Sequence, residues 1–405
     1  MQTDFQRIRR LPPYVFEEVN RLKAAARARG EDIIDFGMGN PDMPTPAHIV
    51  DKLIETARDP RSNRYSASRG VKGLRRAMAA YYERRFGVTL DPDTEVIATL
   101  GSKEGFANLA QAITAPGDVV LVPNPAYPIH AYGFIMAGAA IRHVPATSPE
   151  EYLSKLDAAV RHSVPSPSAL VVNYPSNPTA QTVDLDFYRE IVSFARKHEI
   201  WLLSDLAYAD IYFDNANPPP SILQVEGARD IAVEFQSLSK TYAMPGWRMG
   251  FAAGNKTLIG ALTRIKSYLD YGAYAPIQVA AAAALNGPQS CVDEMRAIYK
   301  GRRDVLLESM ARAGWAIPSP QASMFAWAPI PEPMRALGSL EFAKRLLVDA
   351  KVAVSPGLGF GEYGEGYVRI ALVENEHRIR QAARSVKKFL ALPAEQPKRA
   401  MAGAK

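Results

Sequence analysis

The sequence predicts an α/β fold, a large domain with a mostly parallel sheet between helices and a smaller α+β domain after it. Three observations carry this. Short, almost continuous apolar runs recur from about residue 90 onward, helical patterns separate them, and the alternation resumes in a shorter segment after a long helical stretch. Strands that are apolar on both sides and separated by helices belong to a sheet covered on both faces.

Taken in order, the first 45 residues join an amphipathic stretch, VFEEVNRLKAAARARG, to the turn-rich GMGNPDMPTP. They read as an arm (1–45) that leads into the main body and contributes to the smaller domain. The large domain is expected over 46–285, with strands at EVIATLG, DVVLVPN, AAIRHVP, ALVVNYP, IWLLSD, IAVEFQSLS and MGFAAG. Residues 255–315 carry apolar side chains at i, i+3, i+4 spacing and read as long helices. The smaller domain is expected over 286–392. It alternates again, through ASMFAWAPI, the helix SLEFAKRLLVDA, VAVSPG, YVRIAL and a last helix. Residues 393–405 are polar and small and are expected to be disordered.

The chain has 405 residues, 47% hydrophobic and 22% charged, the composition of an ordinary globular protein. No apolar run reaches the roughly 18 residues that a membrane span needs. The opening segment MQTDFQRIRRLPPYVF has charges with no apolar core behind them, so secretion is not expected. The one cysteine, Cys291, can make no internal disulfide, and its surroundings give no metal or nucleophile pattern. No metal is expected, and the cytoplasm is the expected compartment. The net charge of +6 is spread along the chain, with a slight excess in the tail QPKRAMAGAK. That spread argues against nucleic acid and fits a solvated surface or a basic site for anionic substrates.

In open α/β sheets ligands bind beyond the carboxyl ends of the strands, and the polar residues of this chain gather there. IATLGSKEGF runs from a strand through Gly101, Ser102 and Lys103 into a helix. Such a helix start can cradle a phosphate, although a simple capped helix looks the same. VVNYPSNPTA leads to Asn177 before Pro178, which also fits a plain turn. IWLLSDLAYAD ends a buried strand at Asp205, with Tyr208 three residues later. A carboxylate there needs a partner, or serves as a helix cap. IAVEFQSLSK ends at Ser237, Ser239 and Lys240. That lysine is a surface charge unless its environment lowers its pKa and makes it a nucleophile. Arg248 stands between Gly246 and Gly250, where the backbone can turn closely around an anion held by the planar guanidinium. Phe325 and Trp327 read as core residues.

With these residues in place, the chain resembles the class I/II aminotransferases, fold type I enzymes dependent on pyridoxal 5′-phosphate. SLSKTYAMPGWRMG is similar to their S-x-S-K-x-x-x-x-x-G-x-R-x-G signature, and the likeness runs from LPPYVF to about residue 390. Within the family, IIDFGMGNPD, YSASRG, NPAYPIH, IKSYLDYG and VSPGLGFGEYGEGYVRIAL look most like bacterial glutamate–pyruvate (alanine) aminotransferases, close to the LL-diaminopimelate branch. The resemblance implies that Lys240 bonds the cofactor's aldehyde and later carries the proton between substrate and cofactor carbons. It implies Asp205 at the pyridine nitrogen, Asn177 and Tyr208 at the ring's 3′ oxygen, and Tyr127 against the ring face. Ser102, Lys103 (mainly through its backbone N–H), Ser237, Ser239 and Arg248 would bind the phosphate. Tyr65 would reach the phosphate of a neighbouring subunit, making the active unit a homodimer. Arg369 would bind the substrate α-carboxylate, Asn177 would contact the substrate as well as the ring, Gly39 would let the arm approach the substrate, and Tyr14 would line the entrance.

The expected reaction is a ping-pong exchange of an amino group between an L-amino acid and a 2-oxo acid, foremost L-alanine with 2-oxoglutarate. Aspartate-specific relatives place a second arginine between the lysine and the small domain, and here no arginine occurs between Arg264 and Arg296. Alternatives are a transaminase for LL-diaminopimelate, methionine or aspartate, and a carbon–sulfur β-lyase on the same scaffold. A regulator built on this domain would carry a DNA-binding domain ahead of it, and the first 45 residues already belong to the fold.

Overall fold

A computed structural model of the chain describes residues 5–12 and 15–392. The segment 393–405, expected to be disordered, lies outside the described residues. Its strands are β1 (Ile34–Asp35), β2 (Val96–Thr99), β3 (Val119–Asn124), β4 (Ala140–Pro145), β5 (Pro167–Asn173), β6 (Trp201–Asp205), β7 (Ala232–Ser237), β8 (Gly250–Gly254), β9 (Phe325–Pro329), β10 (Val352–Ala353), β11 (Ser355–Pro356) and β12 (Tyr367–Ala371). The chain folds into two compact units. The larger is built chiefly from Asn40–Lys300 and takes in Gln321–Met324. The described residues 5–12 also belong to the larger unit, and the smaller combines residues 15–39 with Gly301–Pro320 and the chain from Phe325 on.

The larger unit holds a seven-stranded sheet in the order β2-β8-β7-β6-β5-β3-β4. Only β8 runs against its neighbours, β2 and β7; the other pairings are parallel. Successive strand residues feed opposite cores, because side chains alternate faces along a strand. Leu170, Val172, Leu202 and Ala232 join one core, which also takes Tyr82, Tyr188 and Ala284. Ala169, Val171, Leu203 and Val233 join the other, with Phe106, Phe134 and Leu262. Both faces are therefore dry, which is why these strands read as continuous apolar runs rather than as alternating ones.

One polar residue sits deep in this sheet. Glu234 is fully buried on β7. It accepts hydrogen bonds from Tyr82 Oη at 2.9 Å, Ser204 Oγ at 2.9 Å, Ser221 Oγ and the Ile222 backbone N–H at 3.2 Å. Burial nevertheless pushes its carboxyl group up to about 7.

In the smaller unit β12 lies between β11 and β9 in an antiparallel sheet, and β1 pairs with β10 in parallel. Helices Gly338–Ala350 and Glu376–Leu390 pack together there through Phe342 and Phe389, whose ring centroids are 6.0 Å apart.

Candidate active site

The parallel sheet brings strand ends together that are far apart in sequence. Asn173 pairs with Asp205, Asp205 with Phe235, and Gly250 with both Ser237 and Thr99. Because β8 is antiparallel, its first residue lies at the edge where β2, β5, β6 and β7 finish. Arg248, two residues before it, therefore arrives at that edge too.

Beyond β2 the chain turns at Gly101, with φ +86°, into the helix Ser102–Ile113. A Cβ on Gly101 would lie 2.0 Å from Arg248 Nη2, so a glycine is required for the guanidinium to lie against this turn. Arg248 itself adopts a left-handed conformation, φ +54°. For a residue with a side chain this costs roughly 1–2 kcal/mol, a strain typical of functional turns. Its Nη1 donates to Pro245 O at 2.9 Å and its Nη2 to Leu100 O at 3.1 Å, and the residue remains exposed. A Cβ on Gly250 would stand 2.7 Å from the Ser102 backbone N, so the arginine turn and the helix start are in close contact. A helix N-terminus, nearby hydroxyls and a guanidinium make a donor set that suits a phosphate dianion.

Lys240 stands in the short helix Leu238–Thr241 that follows β7, half-buried between the buried Ser239 and Thr241. Thr241 Oγ1 donates to Asp210 Oδ2 at 2.9 Å, and the same oxygen accepts from Tyr81 Oη at 2.8 Å. Arg85 Nε reaches Asp210 Oδ1 at 3.2 Å. Asp210 thus anchors the turn that carries the lysine. Sequence reasoning missed it, because its partners lie on the distant helix Lys72–Phe86.

Asp205 ends β6, buried, and His130 Nε2 lies 2.8 Å from its Oδ2. Its other oxygen accepts from the Ala207 N–H at 3.2 Å. His130 is fully buried and stands at the start of the helix Ile129–Ala137, just after Tyr127. It too was missed; NPAYPIH contains it, but nothing in that string points it at Asp205. The buried Asn177 Nδ2 and Tyr208 Oη are 3.5 Å apart. Asn173, also missed, holds this corner. Its Oδ1 accepts from the Asn177 N–H at 2.9 Å, and its Nδ2 donates to Asp205 O at 2.8 Å.

The remaining sequence-predicted residues are placed as follows. Ser237 and Ser239 are buried on the β7 turn beside Lys240. Tyr127 is half-buried, and Lys103 Nζ lies 5.9 Å from its ring centroid. Tyr65 is 87% exposed and tilts against Tyr271, ring centroids 4.7 Å apart. Tyr14 lies outside the described residues. Among the described residues, no group of three or more His, Cys, Asp or Glu could hold a metal ion.

In the smaller unit Arg369 is buried on β12, its Cζ 4.1 Å from the Phe325 ring centroid and 4.7 Å from that of Phe360. Its Nη2 lies 3.4 Å from both Gly37 O and Ser355 Oγ. A Cβ on Gly39 would come 2.6 Å from Phe325 Cε1, so this glycine lets the arm press onto the ring beneath the guanidinium. Phe325 is core, and Trp327, half-buried, stacks on Tyr367 at 5.3 Å.

A mostly parallel sheet with a lysine, a carboxylate, an amide–phenol pair and an anion cradle at one edge defines the fold type I class of cofactor-dependent transferases. Residues 31–386 match the family described as Aminotransferase class I and II, and the chain belongs to it. It is 67% identical to a protein named as an aminotransferase, AatC of Rhizobium meliloti (strain 1021), over 96% of this chain and 95% of that one. It is 56% identical to the glutamate-pyruvate aminotransferase AlaC of Escherichia coli (strain K12), over 95% and 93%. A substrate-bound BacF structure from Bacillus subtilis superposes with a TM-score of 0.91 at 34% identity, covering 98% of this chain and all of that one. The chain is a pyridoxal-phosphate-dependent aminotransferase, acting on amino acids and 2-oxo acids.

Among the described residues, no helix is long and apolar enough to cross a membrane.

Proposed function

We propose that this enzyme moves the amino group of L-alanine to 2-oxoglutarate, giving pyruvate and L-glutamate, as a cytoplasmic homodimer. The observation that carries the substrate choice is the 56% identity, along nearly the whole chain, to a protein named glutamate-pyruvate aminotransferase. The absence of any arginine between Arg264 and Arg296 agrees with it, since the resemblance puts an aspartate enzyme's second arginine in that interval.

Pyridoxal phosphate, when bound, supplies an aldehyde that exchanges amines and a ring that withdraws electrons from the substrate Cα. The residues of the chain do the rest. Lys240 is assigned as the amine that would hold the cofactor and then as the base that would take the proton from the substrate Cα and return it to the former aldehyde carbon, across the intervening nitrogen. Asp205 is assigned to the pyridine nitrogen, where its negative charge keeps a proton. His130, through its hydrogen bond, holds that carboxylate in one orientation. Asn177 and Tyr208 are the donors for the ring's 3′ oxygen, and Tyr127 covers the ring face. Ser102, Lys103, Ser237, Ser239 and Arg248 anchor the phosphate. Arg369, with Gly39 beside it, takes the substrate carboxylate, a group for which a planar guanidinium is the better match. Tyr14 is assigned to the entrance.

The dimer reading is supported by a cluster of exposed apolar side chains. Tyr65 is 87% exposed, Tyr268 82%, Tyr271 64% and Leu269 55%. A patch of this kind marks an interaction surface, and Tyr65 within it would serve the partner's phosphate. One cysteine in the chain fits a reducing compartment.

The test is a panel of amino donors and 2-oxo acids with the purified enzyme. The highest kcat/KM is expected for alanine with 2-oxoglutarate. A clear preference for LL-diaminopimelate would replace the substrate assignment. Release of a 2-oxo acid without an added acceptor would point to a carbon–sulfur β-lyase instead.

A further inference from the structure

Lys266 has no part in the functions assigned above, yet its side chain is completely buried in the larger unit. Its Nζ donates to Glu104 Oε1 at 2.7 Å and to Asp270 Oδ2 at 2.8 Å. A lysine is buried this fully only when its charge is matched, and the two carboxylates it joins belong to segments far apart in the chain, Glu104 at the start of one helix and Asp270 at the end of another.

Glu104 stands in the first turn of the helix Ser102–Ile113, and its other oxygen, Oε2, accepts from the Leu100 N–H at 2.9 Å. The carbonyl of Leu100 accepts from Arg248 Nη2 at 3.1 Å. Leu100 is thus held at its N–H by the carboxylate that Lys266 grips and at its carbonyl by the arginine assigned to phosphate. Asp270 leads elsewhere. Its Oδ1 accepts from the Gly272 N–H at 2.6 Å, and its carbonyl accepts from Ser68 Oγ. Gly272 presses on the loop that follows Tyr65, since a Cβ there would be 2.5 Å from Ala67 O. Tyr271, between Asp270 and Gly272, carries the ring against which Tyr65 tilts.

We propose that Lys266 is a positioning residue that locks the phosphate turn and the Tyr65 loop onto one buried charge. This rests on the reading of those two segments as phosphate-binding parts. In a dimer in which Tyr65 serves the neighbouring site, the same lysine ties the phosphate turn of its own site to the tyrosine lent to the other. Removing it takes away the cation that Glu104 and Asp270 share, although Glu104 keeps the Leu100 N–H and Asn108 Nδ2 and Asp270 keeps the Gly272 N–H, so the two segments are no longer tied to each other and lose their alignment with no loss of a phosphate contact as such.

The test uses the full chain stripped of cofactor and titrated, by absorbance and quenching of tryptophan fluorescence, with pyridoxal phosphate and separately with pyridoxal. Lys266→Met is expected to weaken pyridoxal phosphate by on the order of tenfold, the usual scale when a group that orients a ligand-binding atom is removed. Pyridoxal, which lacks the phosphate, should bind as before. Equal weakening of both ligands, or of neither, overturns the proposal. If Lys266→Met fails to fold, Glu104→Gln with Asp270→Asn decides, because it keeps the shapes and removes the charges that Lys266 joins; selective loss supports the proposal and unselective or absent loss overturns it. Asp270→Asn and Tyr65→Phe should be non-additive in pyridoxal phosphate affinity, and strict additivity counts against the link. Arg248→Gln, measured alongside, separates this idea from the reading it rests on. No selective loss there removes the phosphate assignment itself, whereas selective loss there with none in Lys266→Met removes only the role of Lys266.

Discussion

His130 Nε2 lies 2.8 Å from Asp205 Oδ2, with the imidazole fully buried behind the carboxylate. The histidine holds an acid in place and does not itself meet the cofactor in the assignment above. Asp205→Asn should keep the fold and lower kcat/KM by several orders of magnitude, since a neutral amide no longer holds a proton on the ring nitrogen. Each tenfold corresponds to about 1.4 kcal/mol of transition-state stabilisation. His130→Phe should cost less, roughly 10- to 100-fold, because the charge stays and only its orientation loosens. Steady-state kinetics with alanine and 2-oxoglutarate read both. A His130 variant as damaged as Asp205→Asn would make the histidine more than a support.

Lys240→Ala should abolish turnover and remove the visible absorbance band of the lysine-bound cofactor, because no other amine is assigned to that bond. Normal multiple-turnover transamination in this variant would overturn the assignment of Lys240.

Tyr65 and Lys240 should complement across the dimer. Tyr65→Ala must first be shown to cost most of the activity by itself. Mixed with Lys240→Ala under subunit-exchange conditions, it should then restore part of the activity, since one site of each heterodimer carries both native residues. Mixtures that stay inactive after proven exchange would remove Tyr65 from the shared site.

Arg369 is supported from below by Phe325, at 4.1 Å, and Gly39 lets the arm close on that ring. Arg369→Lys should weaken every donor and acceptor by a similar factor, because all share the carboxylate and lysine lacks the planar fork. Gly39→Ala should raise KM by pushing the Phe325 ring aside while the cofactor absorbance stays unchanged. A changed ranking of substrates in Arg369→Lys, with alanine spared, would make Arg369 a side-chain contact.

Glu234 predicts a pH dependence of stability that has no link to the chemistry. Burial raises its carboxyl from 4.5 to about 7, so between those values the native state keeps a proton that the unfolded chain has released. Stability then falls as pH rises through this window, and above about pH 7 the loss is complete, on the order of 3 kcal/mol at about 1.4 kcal/mol per unit. Glu234→Gln should flatten this slope. The check is thermal unfolding of both proteins at pH 5 and pH 8, where the variant should gain relative to the parent only at the higher pH.

The sequence by itself determined the parallel sheet, because strands dry on both faces must be apolar throughout, as in Leu170–Val172 and Leu202–Leu203. It also determined where polar and charged side chains gather: Ser237, Ser239, Lys240 and Arg248 lie within one short stretch whose spacing follows from a strand, a turn and the next strand. Only the tertiary structure decided the contacts between strand ends and helices remote in the chain. His130 and Asp205 are 75 residues apart, and Lys266 and Glu104 are 162 apart. No local pattern records such pairs, because their separation is set by strand order and register, here β2-β8-β7-β6-β5-β3. A buried histidine, lysine or glutamate reads as an ordinary polar residue until the fold shows that water is gone and which partner replaced it.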